Sequence, residues 1–93
     1  MKIYEFNNIS YALKENIDDA FDYSEIKEYI TPYFNGYDYI FGDVSYNKVR
    51  LKGFCNKKNK LYKKINDIDI LEDYIKNYCA YGCKWFLLEK INK

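Results

Sequence analysis

Eight cations and several aromatic rings share one short stretch of this chain. Lys48, Arg50, Lys52, Lys57, Lys58, Lys60, Lys63 and Lys64 all fall between residues 44 and 66, with no acid among them, and Phe54 and Tyr62 are interleaved. Cations neutralise phosphates and rings stack on unpaired bases, so the mixture suits RNA or a ribonucleoprotein surface. A lysine-rich loop that does no more than stay solvated has a similar composition. Arg50 is the only arginine in the chain, and a planar guanidinium grips a carboxylate or phosphate through two N–H groups where a lysine cannot. Asp43 and Arg50 near the ends of adjoining strands would make a polar centre, expected first as a cross-strand ion pair that fixes register.

Other chemistry finds less support. Histidine, the commonest general base, is absent from the chain. No phosphate-binding loop, nucleophile elbow or zinc-protease motif occurs, so no catalytic residue is assigned and an enzyme ranks below a binding protein. Cys79 and Cys83 lie four residues apart, not in the C-x-x-C spacing of thioredoxin-like sites. A closed zinc site wants four Cys or His, and the chain has three Cys and no His. No metal and no cofactor is therefore expected. The cysteines read as reduced packing residues, with Cys79 on a helix stripe and Cys83 opening a strand.

The basic stretch stands out because the rest of the chain is acidic. Residues 1–43 carry a net charge of −6, residues 44–66 carry +8 and residues 67–93 carry −1, so the overall +1 conceals a polarised protein. Ninety-three residues make one domain over 1–93, and 48% hydrophobic content with 12 Tyr and 6 Phe supplies a core. No window approaches 18 apolar residues, so no membrane partner is expected. The first fifteen residues carry Glu5 and Glu15 and no apolar run of the export type. A cytoplasmic location is the expectation.

These residues need a scaffold, and the patterning suggests one. Residues 2–6 and 9–15 read as strands joined at Asn7-Asn8, residues that accept a hairpin's positive φ. Asp22-x-x-Glu25 has the form of a capping box, and Ile26, Tyr29, Ile30, Tyr33 and Phe34 follow at helical spacing. Pro32 either breaks that helix near Ile30 or restarts it with Thr31 as cap. Asn35-Gly36 is a turn, and residues 37–43 and 48–55 read as strands. In the second, Val49, Leu51, Gly53 and Cys55 point to a dry face, and Lys48, Arg50, Lys52 and Phe54 to a wet one. A polar loop spans 56–66, with Leu61 and Tyr62 tucked in. Asp69-x-x-Glu72 caps a second helix whose stripe is Leu71, Tyr74, Ile75, Tyr78 and Cys79, with Gly82 at its end. Residues 83–91 are apolar on both faces and read as a central strand. The order is ββ-α-ββ-α-β: an α+β fold, with a mostly antiparallel sheet and both helices on one face.

Two blocks of this sequence resemble the YutD-like family. The first is Tyr37-Asp38-Tyr39-Ile40-Phe41-Gly42-Asp43, then Tyr46 and Arg50-Leu51-Lys52-Gly53-Phe54. The second is Tyr74, Tyr78-Cys79-x-Tyr81-Gly82-Cys83 and Phe86-Leu87-Leu88. The resemblance covers roughly residues 20–90. It departs at Asp43-Val44-Ser45-Tyr46, where the family pattern carries a Trp and a Gly. That family is bacterial and without an established activity, so the resemblance implies a fold and a cytosolic setting but no mechanism. The leading expectation is an accessory protein that binds RNA or a ribonucleoprotein surface through 48–64. The rival is a protein-interaction module, which docks an acidic partner on the basic segment or a basic partner on the acidic half. Lys52-Gly53-Phe54 is similar to the start of an RNA-recognition motif, but Cys55-Asn56-Lys57 departs from it.

Overall fold

Two pairs of residues in left-handed backbone set the hairpins. Asn7 and Asn8 have φ of 55° and 65°, and Tyr46 and Asn47 have 52° and 62°, the conformation that lets a two-residue turn follow the strand twist. In this computed structural model, which describes residues 2–78 and 83–91, β1 (Ile3–Phe6) pairs with β2 (Ile9–Ile17), and β3 (Tyr39–Ser45) with β4 (Lys48–Phe54). The fifth strand, β5 (Lys84–Lys90), lies between β2 and β3 and pairs antiparallel with both. The five-stranded order is β1-β2-β5-β3-β4. The chain is thus an α+β fold built on one antiparallel sheet, with its apolar strand at the centre as the patterning implies.

The sheet is covered on both faces. On one, Ile40, Phe86 and Leu88 pack with Phe6, Tyr11, Ile26, Ile30 and Phe34. Ile26 belongs to α1 (Tyr23–Ile26), and Phe34 to a 3-10 turn over Pro32–Gly36. The other face holds Phe41, Phe54 and Leu87 against Leu71, Tyr74 and Ile75 of α2 (Leu71–Tyr78). Neighbours in sequence such as Ile40 and Phe41, or Phe86 and Leu87, point to opposite faces. The two helices therefore lie on opposite faces and not on one as the patterning suggested, and β5 is buried between them.

Local signals explain most departures from the expected helices. Asp22 does cap α1, accepting from the Ser24 amide at 3.1 Å, but the helix ends at Ile26. Pro32 restarts the chain as a 3-10 turn with Thr31 before it, because proline has no amide to continue the first helix. The cap preceding α2 is Asp67, whose carboxylate accepts from the Asp69 amide at 2.9 Å and opens a 3-10 turn over Ile68–Ile70. The Asp69 side chain is occupied instead by Lys57.

Two glycines are required by rings that cross them. A Cβ on Gly42 would lie 2.1 Å from Phe86, and one on Gly53 would lie 2.4 Å from Tyr37. No helix among the described residues is long and apolar enough to cross a membrane.

Candidate binding surface

The ten residues of the basic stretch separate into two groups by what they touch. Arg50 stands opposite Asp43 in the β3–β4 register. Its Nε donates to one Asp43 carboxylate oxygen at 2.8 Å and its terminal nitrogen to the other at 3.1 Å. The same terminal nitrogen donates to the Tyr78 carbonyl at 3.1 Å, tying α2 to the sheet. The Asp43 hydrogen bond, then its charge, holds the guanidinium pKa above its ordinary value. Asp43 has 2% of its side chain exposed and Arg50 59%, so the pair seals a buried carboxylate from above.

Phe54 corrects the sequence reading. Grouped by alternation with the lysines, it was expected on a wet face; it is fully buried. Its ring meets Phe41 at 6.3 Å and Tyr74 at 5.5 Å, edge-on. The face that carries Lys48, Arg50 and Lys52 is the one α2 covers, and the cover reaches as far as Phe54. Lys52 is half-covered too, with its ammonium 5.4 Å from the Phe54 centroid and 5.6 Å from Tyr74.

Lys57 is likewise engaged. Its ammonium lies 2.9 Å from both Asp67 and Asp69. Tyr62 donates its hydroxyl to Asp67 at 2.8 Å. Lys57 first, then the Asp69 amide and Tyr62, hold the Asp67 carboxyl down at about 2. The same carboxylates push the Lys57 ammonium upward, and Asp67 pushes the Tyr62 phenol upward.

The loop that carries these residues is a bonded structure, built by side chains the patterning passed over. Asn59 donates to the Gly36 carbonyl at 2.8 Å and to Asp38 at 3.0 Å, and accepts from the Leu61 amide at 2.8 Å. Buried Asn66 accepts from the Lys63 amide at 2.8 Å and donates to the Leu61 carbonyl at 3.1 Å. Asp38 also accepts from the Asn56 amide at 2.8 Å. Clustered Asn and Asp in a loop are the available signal, since their side chains bond nearby backbone.

What remains is a set of unengaged groups, of which Lys60 and Lys63 line a cleft. Lys48, Lys58, Lys60, Lys63 and Lys64 are exposed and form no ion pair among the described residues. The cleft, of about 420 Å³, lies between β4 at Leu51–Gly53 and the loop at Lys60–Ile65, with Tyr33 and Tyr37 beside it. Tyr33, Leu61 and Ile65 are 69%, 43% and 67% exposed. Tyr33 and Tyr37 share a hydroxyl contact at 3.3 Å, and that bond, with burial, pushes the Tyr37 phenol up to about 12.

Neither described cysteine offers an exposed thiol. Cys55 is fully buried and its thiol is raised by that burial. Cys83 is disulfide-bonded and so departs from the reduced thiol expected of it. Cys79, Tyr81 and Gly82 lie outside the described residues. Among the described residues no group of three or more His, Cys, Asp or Glu could hold a metal ion.

The architecture is that of an antiparallel α+β domain with a basic, ring-lined cleft at one sheet edge. Residues 5–89 match the model of the family described as "Putative antitoxin YutD-like", and this chain belongs to that family. It is 37% identical over 86 residues to "Putative antitoxin YutD" of Bacillus subtilis strain 168, an alignment that covers 92% of this chain and 94% of that protein. It also superposes on the solution NMR structure of protein yutD from B. subtilis with a TM-score of 0.81 at 34% identity, covering 100% of this chain and 84% of the other.

Proposed function

We propose that this chain is a binding protein whose basic face engages an acidic region of a partner protein. One observation carries the reading: the cleft sets exposed apolar groups, Tyr33, Leu61 and Ile65, among cations, Lys60 and Lys63, that have no counter-ion among the described residues. Apolar anchors rimmed by charge are the anatomy of a protein interface. RNA recognition would draw on Phe54 for stacking and on Arg50 and Lys57 for phosphate. Phe54 is buried, and the two cations already hold carboxylates. The similar Bacillus protein carries the description "Putative antitoxin YutD", which is compatible with a protein partner.

The test is a pair of fluorescence titrations at low salt, one with a peptide of alternating Glu and Val and one with single-stranded RNA of matched charge. The peptide is expected to bind and the double variant Lys60→Glu, Lys63→Glu to weaken it. RNA binding stronger than the peptide's, and tighter than about 100 μM, would replace this reading with nucleic-acid recognition.

A further inference from the structure

Resting on that reading, we propose that the partner is held as an extended segment that adds to the outer edge of β4 as a sixth strand, its side chains alternating acidic and apolar. The strand order leaves β4 at the edge of the sheet. The two-residue turn at Tyr46-Asn47 makes Ser45 and Lys48 the closing pair. Lys48, Arg50, Lys52 and Phe54 therefore direct their main-chain groups at β3, and Val49, Leu51, Gly53 and Cys55 direct theirs outward. Cys55 shows that direction: its amide donates to the Asn66 carbonyl at 2.7 Å and its carbonyl accepts from the Ile68 amide at 3.0 Å. That bridge starts a ladder on the outer edge in parallel orientation and stops after one residue. No described residue hydrogen-bonds the outward main-chain groups of Val49, Leu51 or Gly53. An unpaired edge of this kind is a template for another strand, and the cleft lies at its Leu51–Gly53 end.

The side chains flanking that edge define the occupant. On an added strand, alternate side chains fall beside Lys48 and Lys52 on one face, where Arg50 is already paired with Asp43, and beside Val49 and Leu51 on the other. The first set favours Glu or Asp and the second Val, Ile or Leu, with Lys60 and Lys63 reinforcing the preference for acid across the cleft. A second copy of this chain fits poorly. Pairing β4 with itself would set Lys48 and Lys52 against the same cations, and like charges in neighbouring strands are destabilising.

The probe is the peptide of alternating Glu and Val, added to the full isotope-labelled chain while amide exchange is followed by NMR. Saturation is expected to slow exchange at Val49 and Leu51 about tenfold or more, the scale of one net hydrogen bond. Val49→Pro removes an outward donor without touching the β3 ladder and is expected to weaken binding by a similar factor. Should that variant fail to fold, the wild-type exchange data decide alone. Peptide that binds without slowing those amides, and is weakened only by the Lys60→Glu, Lys63→Glu pair, overturns strand addition and leaves the basic-face reading standing. Peptide that does not bind at all overturns both.

Discussion

Arg50 spans the whole carboxylate of Asp43, with one nitrogen on each oxygen, and passes a further hydrogen bond to the Tyr78 carbonyl at the end of α2. One side chain therefore satisfies a buried anion and clamps a helix to the sheet. Removing it leaves Asp43 buried without its counter-charge. Arg50→Ala is expected to cost about 1–3 kcal/mol. Arg50→Lys keeps the charge, loses the fork and should cost less. Urea unfolding with an unchanged m-value would measure both, and equal stability of Arg50→Ala and wild type would remove the clamp from the account.

Lysines of one loop should behave differently under charge reversal. Lys60→Glu and Lys63→Glu alter exposed groups with no ion pair among the described residues, so each should shift stability by under about 0.5 kcal/mol. Lys57→Glu sets a third carboxylate beside Asp67 and Asp69 and should lower the melting temperature well beyond either. Thermal scans of the three single variants separate the engaged cation from the free ones; equal shifts would contradict the division.

Acid stability should bear the mark of Asp67. Its carboxyl is held down at about 2 in the folded chain, below the ordinary 3.8. Between those values the unfolded chain binds the extra proton, so stability is fully present above about pH 4 and is lost as pH falls toward 2. Asp67→Asn should flatten that part of the acid limb in unfolding experiments run from pH 5 to pH 2. A limb as steep as wild type would show that other carboxylates govern it.

Tyr46 sits at the β3–β4 turn with φ of 52° and 92% of its surface exposed. A bulky L-residue pays for left-handed backbone without a buried contact in return. Tyr46→Gly should stabilise the fold by roughly 0.5–1 kcal/mol, the gain in φ being partly offset by the entropy of glycine in the unfolded chain. Destabilisation on chemical denaturation would mean that the ring has a packing role.

Strands were far more legible in the sequence than the covering of the sheet. Asn7-Asn8 announced its hairpin because few residues accept consecutive positive φ, and the unbroken apolar run at Trp85–Leu88 announced a strand dry on both sides. The stripe from Ile26 to Phe34 was misleading as a single helix: Ile26, Ile30 and Phe34 are buried as it implies, but two short turns separated at Pro32 place them. Phe54 was misassigned because alternation sorts residues into two faces without saying which element covers each. Of the site, the Asp43–Arg50 pairing followed from register alone. The links made by Asn59 did not, since they join Gly36 and Asp38 to a residue about twenty positions on, and no local periodicity records such a link.

The place of β5 has a consequence for biosynthesis. It is the last of the five described strands in chain order, yet β2 and β3 meet only through it. A nascent chain that has emerged as far as α2 holds two separate hairpins, and an isolated hairpin is marginal in water. Neither core can close until residues 84–90 are available to slot between them. The long-range pairing is thus deferred until β5 is available, and the closing of both cores is coupled to its arrival.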